Sequence, residues 1–216
     1  MTQIAIVGGH GKVAIQLLHV LRRTDHDAVA LVRKEEYREE LEGLGAAVRI
    51  LDIEQDGADA FAAAFTGCSA VVFAAGGGAD GNIERKRTVD LEGSLKSIEG
   101  AKIAGIDRFV QVSAIGVDDP LPDDTSDVWR AYVEAKRDAD AALRASGLAW
   151  TIIRPGRLTD DPGTGLVSLG EDVARGDVSR ADVAAVVAAV LDADSTVGKQ
   201  WALVNGETPV ADAVRA

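Results

Sequence analysis

The sequence predicts an α/β domain: a doubly wound parallel sheet packed between two layers of helices, three layers in all. Three observations predict it. Short apolar runs alternate with longer helical patterns along the chain, and the first run ends in a glycine-rich turn that opens a helix. The interior is also aliphatic, with 47% hydrophobic residues but only 4% aromatic, which suits helices packed closely on a sheet. A length of 216 residues fits a single domain.

The elements follow in order. Ile4-Ala5-Ile6-Val7 is a continuous, largely β-branched run closed by Gly8-Gly9, the pattern of a strand covered on both faces. From Lys12 to Arg23 the apolar positions Val13, Leu17, Val20 and Leu21 recur at helical spacing. Ala28–Val32 reads as the second strand and Lys34–Leu44 as the second helix, ending at Gly43 or Gly45. Val48–Leu51, Ala70–Phe73, Phe109–Val112 and Ala149–Arg154 supply four more strands. Between them lie a short helix at Ala58–Phe65, a long one from about Ile83 to Ala104, and a third from Val128 to Ser146. Gly116 to Asp127, with two prolines and five aspartates, reads as an exposed loop. The remainder is shorter and less regular, with one clear helix at Arg180–Leu191, an N-cap at Ser179, and a strand at Gln200–Val204. Strands separated by helical patterns of this length imply right-handed crossovers and a parallel sheet.

Charge excludes some functions. Lys plus Arg number 23 against 35 Asp plus Glu, a net charge of −12, so neither nucleic acid nor an anionic membrane finds the basic face it needs. One cysteine, Cys68, allows no internal disulfide and no Cys-based zinc cluster, and a small-hydrophobe role suits it better than a nucleophile's. No signal-peptide pattern precedes the first strand, and the apolar run Val183–Leu191 is too short to span a bilayer. A soluble cytoplasmic domain is the expectation. His10, His19 and His26 are too scattered for a metal site, and His19 and His26 read as solvated.

Gly8-Gly9-His10-Gly11-Lys12-Val13-Ala14 stands between the first strand and first helix, with the spacing G-x-x-G-x-x-A. Glycines permit the bend and let backbone approach a pyrophosphate resting on the helix N-terminus, while Ala14 permits close helix–strand packing. Within a full βαβ unit this is a dinucleotide signature; a structural turn holding no nucleotide is the plainer alternative. His10 can reach a phosphate, or its backbone can be all that matters. The second strand ends in Arg33-Lys34, where an acid would grip a ribose 2′-hydroxyl and a cation would accept a 2′-phosphate. NADP(H) is therefore expected over NAD(H), unless both cations merely open the next helix in solvent. Asp52-Ile53 falls where an adenine ring would lie, and Ala74-Ala75-Gly76 is small enough for a ribose to approach.

Ser113 follows the fifth strand, and Tyr132 and Lys136 sit i, i+4 on the following helix. A tyrosine needs a neighbouring cation to work as an acid or base near neutrality; Lys136 supplies one and can hold a ribose hydroxyl. Ser113 can hydrogen-bond a substrate oxygen that gains charge during hydride transfer. Against this stands a chance Tyr-x-x-x-Lys pair. The acidic run Asp118–Asp127 with Trp129 reads either as a lid or as a solvated loop.

These residues, with the run Ser146-Gly147-Leu148 and Thr151-Ile152-Ile153-Arg154-Pro155-Gly156 followed by Leu158-Thr159, resemble the atypical short-chain dehydrogenase/reductases. The likeness is to the small single-domain NAD(P)H-binding group related to biliverdin reductase B and the NmrA-like proteins, and it covers residues 3 to about 205; Val178–Val183 matches its late helix start. The resemblance implies a Rossmann-like fold, an NADP(H) site and Pro155 beside the nicotinamide. It departs at Asp90-Leu91-Glu92-Gly93-Ser94, where extended relatives carry Asn-Val-x-Gly-Thr, so an amide's role at Asp90 does not carry over. Only 60 residues follow Gly156, so a large substrate domain is not expected. The expectation is one NAD(P)-binding domain over 1–216, with a short substrate-side region from about 114–128 and 156–180. Its expected activity is NADP(H)-dependent hydride transfer to a small carbonyl, quinone or flavin-like substrate. The alternative is a non-catalytic NADP(H)-binding redox sensor or scaffold. A monomer or homodimer is expected.

Overall fold

A computed structural model describes residues 2–78 and 81–215. Its first strands, β1 (Thr2–Val7), β2 (His26–Val32) and β3 (Ala47–Ile50), are joined by helices α1 (Lys12–Leu21) and α2 (Arg38–Gly43). Helix α3 (Ala58–Ala64) leads into β4 (Ala70–Phe73). A long helix follows in three parts: α4 (Ile83–Arg85), a π-helical turn (Lys86–Leu91) and α5 (Glu92–Ala104). Then come β5 (Arg108–Val112), α6 (Asp127–Arg144) and β6 (Ala149–Pro155). The sheet order β3-β2-β1-β4-β5-β6 is parallel throughout, with the direction of winding reversing between β1 and β4. Ligands in such sheets bind at that reversal, beyond the carboxyl ends of the strands.

Both sheet faces are buried, as the unbroken apolar strands require. Along β1, Ile4 and Ile6 pack under α1 and α7 (Arg180–Leu191), while Ala5 and Val7 face the side that holds Phe61, Phe65, Phe73 and Phe109. Few aromatic residues suffice because helices approach closely: a Cβ on Gly100 of α5 would lie 2.6 Å from the Phe61 Cβ of α3.

The structure corrects several sequence expectations. Lys34 is extended, so the second helix begins later, as a 3₁₀ turn at Glu35–Tyr37 before α2. His26 is not a solvated loop residue; it belongs to β2, its ring is largely covered, and its Nε2 lies 2.8 Å from Asp192. The irregular final third contains β7 (Arg157–Thr159), β8 (Leu166–Gly170), β9 (Asp177–Ser179), β10 (Lys199–Asn205), β11 (Thr208–Pro209) and helix α8 (Val210–Ala213). β10 extends the parallel sheet beside β6, then β8 and β11 add antiparallel edge strands, and β7 pairs with β9 separately. Helix α7 starts where expected, its first-turn Asp182 amide donating to the Ser179 hydroxyl.

Candidate functional site

β1 delivers the chain to Gly8 at φ +81°, where a Cβ would lie 2.7 Å from the Ala75 Cα. Only glycine allows both the conformation and the approach. Gly9 lies as tightly over Ala30, and the Gly11 amide donates back to the Gly8 carbonyl at 2.8 Å. Helix α1 then begins without a side-chain cap or an acid in its first turn, so its leading amides and the positive end of its dipole face the cleft. A missing cap on a helix aimed at a cleft suits an anion bound by backbone.

Beside the turn is a cavity of about 180 Å³. Gly8, His10 and Gly11 form one wall, Asp52 and Ile53 another, and Ala74, Ala75 and Gly76 a third. Arg33 lines its rim, 3.7 Å from the Glu54 carboxylate, which Arg85 also approaches at 3.6 Å and Thr88 caps with a 2.8 Å hydrogen bond. Arg85, Glu54 and Tyr37 were not marked by the sequence reading; they reach this rim from separate elements. The other expected contacts sit apart. Gly9 underlies the turn, Val13 is buried in the core, and Lys34 turns to Glu36. Lys12 reaches across to Asp160, which Arg180 also holds, both at 2.6 Å. The His10 ring stacks on Tyr37 with centroids 3.7 Å apart and meets Glu40 at 3.0 Å.

A second cavity of about 1000 Å³ contains Ser113, Tyr132 and Pro155 together. Lys136 lies behind its wall, only 5% exposed, one helical turn below Tyr132. Its ammonium is 3.3 Å from Asp90 Oδ1 and donates to the carbonyls of Val112 at 3.3 Å and Ala75 at 3.5 Å. Burial works against that charge, yet the Asp90 carboxylate and Tyr132 outweigh it and hold the Lys136 pKa above the ordinary value. Tyr132 behaves otherwise than the spacing suggests. Burial pushes its phenol up and Lys136 pulls it down, with Asp90 and Asp140 opposing, so the net shift is upward. The pull of Lys136 is outweighed.

Behind these residues lies a polar network that sequence reasoning missed. The Ser113 hydroxyl donates to Asp140 Oδ2 at 2.8 Å, so in this state its one proton points away from the cavity. Gln111 donates to Asp140 Oδ1 at 2.7 Å, and Arg154 Nε to Oδ2 at 2.9 Å. Arg154 also reaches Asp118 at 2.6 Å. Burial raises the fully enclosed Asp140 carboxyl against the opposing pull of Arg154 and its hydrogen bonds. A signal existed: Tyr132, Lys136 and Asp140 repeat every four residues on α6, and Arg154 sits in the run before Gly156. Asp90 sits in the π-helical turn, a feature common at functional sites. Its Oδ2 accepts the Gly77 amide at 2.8 Å, tying the glycine run after β4 to Lys136.

Among the described residues no cluster of His, Cys, Asp or Glu suits a metal, and no helix is long and apolar enough to cross a membrane. Cys68 is half-buried, and burial raises its thiol pKa against Arg49, which disfavours the reactive thiolate.

A family model described as NAD(P)H-binding matches residues 8–194. A Bacillus subtilis (strain 168) protein named as an uncharacterized sugar epimerase, YhfK, is 40% identical over 214 residues, covering 99% of each chain. A solved structure from Bacillus halodurans, described as an NAD-dependent epimerase/dehydratase, superposes with a TM-score of 0.92 at 38% identity over 100% of this chain and 99% of that one. The oxidoreductase ylbE of Lactococcus lactis gives 0.87 at 28% identity, covering 99% and 95%. The fold is Rossmann-like.

Proposed function

The chain belongs to the NAD(P)H-binding family, and from that premise we propose that it is an NADP(H)-dependent oxidoreductase reducing a small carbonyl, quinone or flavin-like substrate. One observation carries the reading: the capless α1 turn and the cavity holding Ser113 and Tyr132 meet at the carboxyl ends of the same parallel strands. The glycine turn fits a dinucleotide: Gly8 and Gly11 line the cavity without side chains, beside the uncapped start of α1. Gly8, Gly11 and the α1 amides would hold the pyrophosphate, with Asp52, Ile53 and Ala74–Gly76 around the adenosine and Pro155 beside the nicotinamide. Arg33, with Arg85, would meet a 2′-phosphate, which favours NADP(H) over NAD(H).

Bound there, the nicotinamide supplies or accepts a hydride at C4. The raised Tyr132 pKa suits the reducing direction, since the phenol stays protonated and can donate to the oxygen that gains charge. Lys136, kept charged, stabilises the phenolate left behind. Ser113 accepts a hydrogen bond as it stands and donates one only after releasing Asp140.

NADPH absorbance followed with quinones, flavins and small aldehydes tests the reading: net oxidation supports it, whereas an epimerase returns its hydride and consumes none. A second reading, a non-catalytic NADP(H) sensor, draws support from the polar groups already engaged within the protein, Ser113 with Asp140 and Lys136 with Asp90. It predicts NADPH binding with no turnover of any acceptor.

A further inference from the structure

We propose that the large cavity selects an anionic substrate, a flat apolar ring bearing a carboxylate, and that Lys86 receives the carboxylate. This rests on the reading that the cavity beside Tyr132 is the substrate's site.

The charges lining that cavity run against those of the whole chain. The protein carries −12, yet Lys86, Arg157, Arg175 and Arg180 line the cavity against a single carboxylate, Asp177. Three of these cations are spoken for. Arg157 donates to Asp177 at 2.8 Å, Arg175 to Asp119 at 2.7 Å and Arg180 to Asp160 at 2.6 Å. Lys86 differs: it is only 5% exposed, it donates to the Gly78 carbonyl, and among the described residues no carboxylate pairs with it. An ammonium has three donors, and a buried cation lacking a counter-charge is costly to hold. A substrate carboxylate supplies both the acceptor and the charge, in a setting that strengthens the bond.

The rest of the lining describes the substrate's body. Val128, Leu158, Ile115 and Pro155 are apolar, and Trp129 and Tyr132 set their ring centroids 5.2 Å apart. Trp129 is 50% exposed, an apolar surface that a flat ring would cover. Lys86 opens the π-helical turn and Asp90 stands near its other end, so one local widening serves both the cavity cation and the ion pair with Lys136.

The test compares 2-naphthoate with neutral 2-naphthamide by calorimetry on the full chain saturated with NADP⁺. Charge-assisted hydrogen bonding predicts that the wild type binds the acid roughly 10- to 100-fold more tightly than the amide. Lys86→Met should abolish the preference and Lys86→Arg should keep most of it, with NADP⁺ affinity unchanged in both. Should Lys86→Met fail to fold, Lys86→Gln takes its place. Absence of a preference in the wild type, or its survival in Lys86→Met, overturns the proposal. So does a loss of NADP⁺ affinity in Lys86→Met, which would assign the lysine to the cofactor. The ratio is read without turnover, so a preference for the acid alongside an inactive protein sinks the oxidoreductase reading alone.

Discussion

At the glycine-turn end of the cleft, seven consecutive residues from Gly8 to Ala14 provide the bend, the close approach and the helix start. At the tyrosine end, Asp90, Ser113, Tyr132, Lys136, Asp140 and Arg154 converge from the π-helical turn, the end of β5, α6 and β6. The first end is built mainly from backbone, the glycine turn and the uncapped start of α1, with the Arg33 side chain at its rim. The second works through enclosed charges that must be matched in pairs, so one substitution leaves a partner stranded.

The sharpest break in that contrast is Tyr132→Phe. It should lower kcat by about 10²- to 10⁴-fold, the usual worth of a positioned acid, while NADPH affinity measured by fluorescence titration stays as it was. Equal losses in both would mean the two ends are not separable. Next is Arg154→Met, which strands Asp140; chemical denaturation should show about 3–5 kcal/mol lost, with much of it recovered in Asp140→Leu/Arg154→Met. An unaffected single variant would remove Asp140 from the enclosed-charge account.

At the other end, Arg33→Ala should reduce the NADPH-to-NADH affinity ratio roughly 10- to 100-fold, the worth of a charge-assisted contact, with stability unaltered because Arg33 is half exposed. An unchanged ratio refutes the 2′-phosphate assignment. The smallest effect is a displaced pH profile. With its pKa raised, Tyr132 stays a proton donor at and beyond the ordinary phenol value of about 10, so reduction should persist to alkaline pH. Asp90 raises the pKa values of both Tyr132 and Lys136, so Asp90→Asn should move the alkaline limb of the reductive profile to lower pH. A limb that stays in place shows that Asp90 does not tune the pair.

The βαβ units were legible because alternation between apolar runs and helical spacing is written residue by residue. Strands β1 to β6 and helix α7 lie close to where the pattern put them. The short strands β7, β8, β9 and β11 were not, because they lie in the final third, outside the regular alternation of apolar runs and helices that marks β1 to β6, and β7, β9 and β11 run to only two or three residues. The π-helical turn was equally hidden, since its residues keep helical character and only the backbone widens. In the site, Gly8, Arg33, Ser113, Tyr132 and Lys136 were legible from motif and spacing. Asp140 followed the same four-residue rhythm, but its 0% exposure comes from tertiary packing that encloses it with Gln111, Ser113 and Arg154.

Residue order determined the doubly wound class and the glycine cradle, because backbone preference and hydrophobic period are local properties of the chain. Tertiary structure decided the direction in which the Tyr132 pKa moves. Whether Lys136 would lower the pKa of Tyr132 depended on how much water was excluded and on where Asp90 and Asp140 came to rest. Desolvation is a property of everything that surrounds a group, so no spacing between two residues could have revealed it.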